Sequence, residues 1–297
     1  MIRFLLVFLS CSKISFGQHD MLAVLEAEAD NEVYFVRSTW KSPMLINSYT
    51  TETERKGVLD FKISHRFGNI GGQSGGGHSL FGLDRASNIR FSFDYGVTEE
   101  FQIGIGRSKT NENIDGLLKY KFLKQKKESM PITAVILSNT AFTPEKDPSG
   151  NFSKIAHRFS FVNQVIIGSK LNNKLSVLFS ISLYHKNLVV QTAGFNGLKE
   201  DNDLFSLGCG TRYRITKKLS VVGEYNHTLG ELRNSINYAY YHPFSCGIEL
   251  ETGGHVFHIN LSNSSGLIFQ DLLDAESDSW GNGEFKLGFR ISRFFSL

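Results

Sequence analysis

Proline is scarce in this chain, 5 residues in 297, and tryptophan scarcer at 2. Few prolines mean few forced breaks, so long extended segments can pair without interruption. There are only 3 cysteines, one of them Cys11 in the leader, which excludes a disulfide-stapled scaffold. Beyond the N-terminus no run of about 18 apolar residues occurs, which excludes a bundle of membrane-spanning helices. Neither sign of charge dominates: 32 Lys and Arg against 29 Asp and Glu leave a net charge of +3, which argues neither for nor against nucleic acid. What is abundant is Phe, at 25, with 10 Tyr, both strand-favouring, and 28 Gly that suit turns and tight sheet corners. The hydrophobic share of 41% makes a disordered chain a poor reading.

The first residues, MIRFLLVFLSCSKISFG, combine a cation at Arg3, an apolar stretch from Phe4 to Leu9, and small residues at Ser15 and Gly17. That reads as a secretory signal over 1–17, cleaved before Gln18, and a secreted chain argues against a nucleic-acid partner. Phe8-Leu9-Ser10 ahead of Cys11 is a poor lipidation box. The mature chain keeps Cys209 and Cys246, on strands separated by another strand. A spacing of about 9 to 10 Å is too wide for a disulfide.

From Leu59 onward, segments of about ten residues alternate in polarity, the weak two-residue signal of a transmembrane β-barrel. LDFKISHRF (59–67), NIRFSFDYGV (88–97), FQIGIGRS (101–108) and KLSVLFSISLYH (174–185) show it clearly, as does EFKLGFRIS (284–292) at the end. PITAVILSNT (131–140) and AHRFSFVNQVIIG (156–168) alternate less cleanly. About twelve strands result, each long enough to cross a bilayer when tilted. Tight turns such as TEE (98–100) and TKK (216–218) alternate with longer connections around 68–87, 141–155, 186–203, 230–242 and 263–283. Short periplasmic turns and long external loops have that rhythm, and an even strand number puts both chain ends in the periplasm. The expectation is an all-β, antiparallel, up-and-down barrel over 57–297, preceded by a periplasmic N-terminal segment over 18–56 with a short helix. A secreted β-sandwich is the alternative, but its outer faces would be mostly polar. Here one regular face carries Phe, Ile, Leu and Val and the other Lys, Arg, Ser and Gly. Tyr95, Tyr120, Tyr184, Tyr213 and Tyr225 fall near strand ends, where an interfacial girdle would place them.

DFKISHRFG (60–68), FGLDRASNIRFSFDYGVTE (81–99), DGLLKYKFLKQ (115–125), ETGGHVFHINLSNS (251–264) and WGNGEFKLGFRISR (280–293) together resemble an uncharacterised family of outer-membrane β-barrel proteins of Gram-negative bacteria. The resemblance spans nearly the whole mature chain and implies location and fold. It carries no established activity, so it assigns no functional residue.

The polar parity of the strands would line the lumen with Lys62, Arg66, Arg90, Lys119, Lys121, Arg158, Arg212, Arg214, Lys286 and Arg290, against Asp60, Asp94, Asp115, Glu224 and Glu249. A ring of cations favours anionic solutes; the plain reading is a salt-bridged interior that keeps a narrow barrel rigid. Ahead of the barrel, HDMLAVLEAEADNE (19–32) carries Asp20, Glu26, Glu28, Asp30 and Glu32 without Lys or Arg. It suits a short amphipathic helix that docks as an acidic plug, or a solvated tail that meets a periplasmic partner.

Other motifs fall short. NIGGQSGGGHS (69–79) lacks the Lys and strand-to-helix context of a phosphate loop and reads as a flexible external loop. DLLDAESDSWGNGE (271–284) lacks the turn glycine and final ligand of an EF-hand and reads as a solvated loop. His255 and His258 point to opposite faces of a strand, a poor metal pair, so neither metal nor cofactor is expected. His157 has Phe159 two positions on, where the serine of an outer-membrane lipid hydrolase would stand. Two functions follow as expectations: a passive conduit for small anionic or amphiphilic solutes, or a structural or docking barrel with a closed lumen. The partners expected are outer-membrane lipid and, through the C-terminal strand, the barrel-assembly machinery. That strand departs from a terminal aromatic, with Phe295 two residues before Leu297.

Overall fold

The computed structural model describes residue 36 and residues 39–127, 129–189, 200–274 and 278–297. Twelve antiparallel strands close into one barrel. They are β1 (Val58–Asn69), β2 (Ala86–Gly96), β3 (Phe101–Ser108), β4 (Ile114–Leu123), β5 (Thr133–Phe142), β6 (Phe159–Lys170), β7 (Leu175–Lys186), β8 (Asp203–Arg214), β9 (Leu219–Leu229), β10 (Phe244–Thr252), β11 (His255–Ser262) and β12 (Lys286–Ser296). Each pairs with its neighbours in sequence, and β12 returns to β1 with Val58 opposite Ser296 and Ser64 opposite Arg290. This seam removes both sheet edges, whose backbone groups would otherwise lack partners in hydrocarbon. It holds to the last residue: the Leu297 N–H donates to the Gly57 carbonyl at 2.9 Å.

Strand parity sorts the side chains as the alternation predicts. Phe91, Phe93, Ile103, Ile105, Leu118 and Ile181 are exposed on the outside, while Asp60, Lys62, Ser92 and Asp94 are buried inside. An outward band this apolar suits lipid. The tight turns and both barrel termini share one end, and the long connections gather at the other.

Four local expectations are corrected. Residues 155–158 form a 3-10 turn and β6 starts only at Phe159, so Arg158 lies outside the barrel wall. Its guanidinium donates to the carbonyls of Thr143 (2.9 Å) and Glu145 (2.7 Å), tying the turn to the connection after β5. Tyr184 is not part of an outer girdle: it shares the inward parity of Ser180 and Ser182 and is 3% exposed. The glycine-rich loop is folded, not free, with Ile70 and Gly71 donating to Phe285 and Gly283, both at 2.8 Å. A side chain at Gly75 would strike the Gly71 carbonyl, so this packing requires glycine there. Finally, the stretch after Gly266 folds inward as a short helix, Phe269–Leu273, rather than lying in solvent.

The core is inside the barrel. One apolar cluster joins Trp40, Met44, Leu45, Ile46 and Tyr49, from ahead of β1, to the wall residues Leu117, Val135, Leu137, Ile166, Leu178 and Val222. A second joins Phe269, Leu272 and Leu273 to Val162, Tyr184 and Leu204. Residues 39–54, expected in the periplasm, thus form a plug, and the Phe269–Leu273 helix forms a lid from the opposite end.

Candidate functional site

The lumen is where the polar side chains converge, and it is filled. Asp60 and Lys119 are 0% exposed and Lys62 and Arg66 are 1% exposed, values that a water-filled channel would not leave on an inward-facing wall. Of the sequence-predicted lining, Lys62, Arg66, Arg90, Asp94, Lys119, Arg212, Glu224, Glu249, Lys286 and Arg290 are buried inside, and Lys121 and Arg214 are half-buried. Arg158 belongs to the loops, as described above. Asp20, Glu26, Glu28, Asp30 and Glu32 lie outside the described residues.

Part of the interior is self-neutralised. Asp60 stands opposite Asp94 across β1 and β2. The Lys62 ammonium sits between them, 2.7 Å from Asp60 and 2.5 Å from Asp94. Ser292 donates to the other oxygen of Asp60 across the seam. Arg90 forks onto Asp115, which also accepts from Asn139 at 3.1 Å, and Arg212 meets Glu249 at 2.7 Å. Buried ions need such pairing, because desolvation of an unpaired charge costs several kcal/mol.

The remaining wall groups hold the plug. Its tip is a tight turn in which the Leu45 N–H donates to Ser48 and the Thr50 N–H to Pro43, both at 2.8 Å. Glu224, from β9, accepts the N–H groups of Ile46 (3.3 Å), Asn47 (2.8 Å) and Ser48 (3.0 Å). Arg290, from β12, donates to the carbonyls of Met44 (3.0 Å), Leu45 (2.5 Å) and Ile46 (2.9 Å). Arg66 donates to Asn47 Oδ1 at 2.8 Å, and Lys119 to the carbonyls of Pro43 (3.3 Å) and Glu52. A single turn is therefore clamped by an anion on its donor side and a cation on its acceptor side. Each charge-assisted bond is stronger than a neutral one, and a turn with its backbone groups so satisfied is at home in a buried site.

Where the plug leaves the lumen, Glu54 is 5% exposed, and its carboxyl is pushed up to about 8 by burial, offset in part by Lys62 and reinforced by Asp60 and Asp94. Burial also raises the Tyr49 phenol at the plug's centre.

The lid is tied as firmly. Gln270 donates to Asn139 Oδ1 at 2.5 Å, Asn113 donates to Asp271 at 3.0 Å, and Arg233 joins Glu200 to the Leu273 carbonyl, the latter at 2.8 Å. Burial and the neighbouring Asp274 carboxylate hold Asp271 well above the usual carboxylate range. At the same end Lys286 reaches Asp278 and, at 3.0 Å, the Asn263 carbonyl.

Sequence reasoning missed Asn47, Asn139, Gln270 and the inward-facing Leu117, Val135, Ile166 and Val222. The wall positions do carry a signal: these four apolar residues interrupt the polar parity of β4, β5, β6 and β9. SPMLINSY (42–49), an apolar trio between turn formers, is its complement.

A family profile described as "Membrane bound beta barrel domain (DUF5777)" matches residues 40–295, a span that takes in plug, wall and lid. Among solved structures, the chain is similar to the NanC porin at 11% identity and a TM-score of 0.48, over 80% of this chain and 100% of that one. It is similar to the KdgM porin at 9% identity and a TM-score of 0.44, over 81% and 99%. An outer membrane channel from Pseudomonas putida F1 is similar at 11% identity and a TM-score of 0.46, over 82% and 98%. No curated protein matches the chain.

Proposed function

The chain belongs to the membrane-bound β-barrel domain family DUF5777, and on that premise we propose that it is a gated conduit of the outer membrane, for small anionic or amphiphilic solutes. Its lumen is closed at rest by the plug and the lid. One observation carries the reading: Arg66, Lys119 and Arg290 donate to neutral acceptors on the plug. If the plug withdraws toward the periplasm, these cationic groups face a newly opened aqueous lumen, the arrangement that favours anions. The N-terminal acidic segment leads into the plug, so a periplasmic partner that grips Asp20, Glu26, Glu28, Asp30 or Glu32 would pull on it directly. The assembly machinery would engage the C-terminal strand, as it does for barrels that end on such a strand.

The second reading, a docking barrel whose lumen stays closed, draws on the fact that Asp60, Lys62, Arg90, Asp115, Arg212 and Glu249 are already paired with one another. Planar-bilayer recording separates the two. The full chain is expected to conduct rarely, and a chain lacking both residues 39–54 and the lid residues 269–273 to carry a steady anion-selective current. Silence from the deleted chain, with its barrel folded, would establish the docking reading instead.

A further inference from the structure

A cavity of about 330 Å³ opens between plug and wall at the end that holds the tight turns. Six cations line it: Lys41 in the plug, Arg55 just after it, Lys170 at the end of β6, Lys174 in the turn that follows, and Arg212 and Arg214 at the end of β8. The lining contains no carboxylate. Lys41, Arg55 and Lys174 are exposed and Lys170 and Arg214 half-buried, so a solute can reach them. The strand positions share the inward parity of Gly168 and Ser176, which places the cavity inside the barrel, away from lipid headgroups. It straddles the docked interface: the Ser176 hydroxyl, from the wall, donates to the Thr39 carbonyl, from the plug, at 2.6 Å.

Counter-charges behind the lining do not remove the excess. Lys41 meets Glu251 at 2.9 Å and Arg212 meets Glu249 at 2.7 Å. Glu52 is in range of Lys170, but it already meets Lys121 at 3.3 Å and accepts the N–H groups of Thr39 (2.6 Å) and Trp40 (3.0 Å). Arg55, Lys174 and Arg214 have no ion-pair partner among the described residues. Arg214, Arg212 and Lys41 all act on Lys170 as like charges. Like charges brought together by two elements oppose their docking, and an anion seated between them reverses that opposition. Two guanidinium forks beside an ammonium suit an oxyanion with more than one charge, which accepts paired hydrogen bonds from arginine.

We propose that this cavity binds a small, multiply charged oxyanion, held from the plug side by Arg55 and from the wall side by Lys174 and Arg214, and that the bound anion latches the plug shut. The site is complete only while the plug is docked, so binding and docking are linked and the ligand raises the docked population. The site rests on the docked plug and not on the conduit reading, and it stands whether or not the barrel conducts.

Titration of the full chain, refolded in a nonionic detergent, tests it with pyrophosphate as probe and the ionic strength held constant with sodium chloride. Trp40 lines the cavity, and in a Trp280→Phe background its emission is the readout. A saturable change is expected, weakened at least tenfold by Arg55→Gln and by Arg214→Gln and unchanged by Lys154→Gln among the long loops. Hydrogen exchange across 39–54 is expected to slow when the ligand is bound. Heat-modifiable migration on gels confirms that each variant is folded, and an unaltered Trp40 emission before ligand confirms that its plug is docked. A response that sodium chloride alone reproduces, binding left intact by both arginine variants, or exchange across 39–54 that the ligand does not slow would each overturn the proposal. So would saturation that appears only after Asp20, Glu26, Glu28, Asp30 and Glu32 are changed to their amides, since the chain's own carboxylates would then be the occupant.

Discussion

Glu54 shows how one residue can set the plug's response to pH. It faces Asp60 and Asp94, with the cations Lys62 and Lys119 in range, and its backbone is held by Gln102, whose side-chain oxygen accepts the Glu54 N–H at 3.0 Å. In the docked state its carboxyl titrates at about 8, against an ordinary value of 4.5. A carboxyl raised in this way binds its proton more tightly docked than free. Its contribution to docking is therefore complete below the free value and lost as pH rises through about 8. Docking is expected to weaken progressively between about pH 4.5 and about 8, and Glu54→Gln is expected to flatten that profile. Trp40 sits in the plug at 1% exposure, so in a Trp280→Phe background its fluorescence reports docking directly. A pH-independent emission spectrum would refute this role. Lys62→Met acts on the same cluster by leaving opposed carboxylates without their cation. A loss of about 3 to 5 kcal/mol is expected, read from the urea midpoint of the refolded protein. Lys62, Arg90, Arg212 and Arg290 were legible from strand parity alone. Asn47 and Asn139 were not, because their importance comes from partners far away in sequence, on which no local period depends.

Among the elements, the twelve strands were legible because each must alternate to face lipid and lumen, whereas the plug and lid answer to no period. Residues 39–54 have no helix or strand of their own and draw their order from the wall: Leu45 packs over Gly210, and Trp40 over Gly168. Glycine at those two wall positions leaves the room a filled lumen needs, a reason invisible until the plug is in place. The acidic stretch at 19–32 lies outside the described residues; among the described ones the wall binds the neutral backbone of the turn at 44–48. The lid is equally hard to read in the sequence, since its acidic and small residues suit a solvated loop while Phe269, Leu272 and Leu273 carry the burial. It depends on Arg233, whose side chain is 0% exposed and joins Glu200 to the helix's last carbonyl. Arg233→Met deprives the buried Glu200 of its guanidinium, and the expected cost of about 3 to 5 kcal/mol falls on the lid. Hydrogen exchange across 264–274 is expected to rise while exchange in β1 to β12 stays slow. Uniform acceleration would show that the lid and wall unfold as one unit instead.

The whole molecule separates closure from occlusion. Closure belongs to the ladder, in which every strand bonds only to its two neighbours and the first meets the last. Occlusion belongs to the plug and lid, which touch the wall through side chains and add no rung. Deletions at the two ends of the chain should therefore fail differently. Removing residues 39–54 strips the cover from Leu117, Val135, Ile166 and Val222, at roughly 1.5 to 3 kcal/mol for each large side chain newly wetted, yet it leaves all twelve pairings in place. Such a chain is expected to refold into a barrel with heat-modifiable migration and a lower urea midpoint. Removing residues 286–297 takes away β12 and leaves β1 and β11 as open edges in a hydrocarbon phase that cannot satisfy them. That chain is expected to show no heat-modifiable form and to aggregate on leaving denaturant. If instead the plug deletion abolished the folded band while the β12 deletion kept it, the lumen contents and not the seam would be what holds the barrel together.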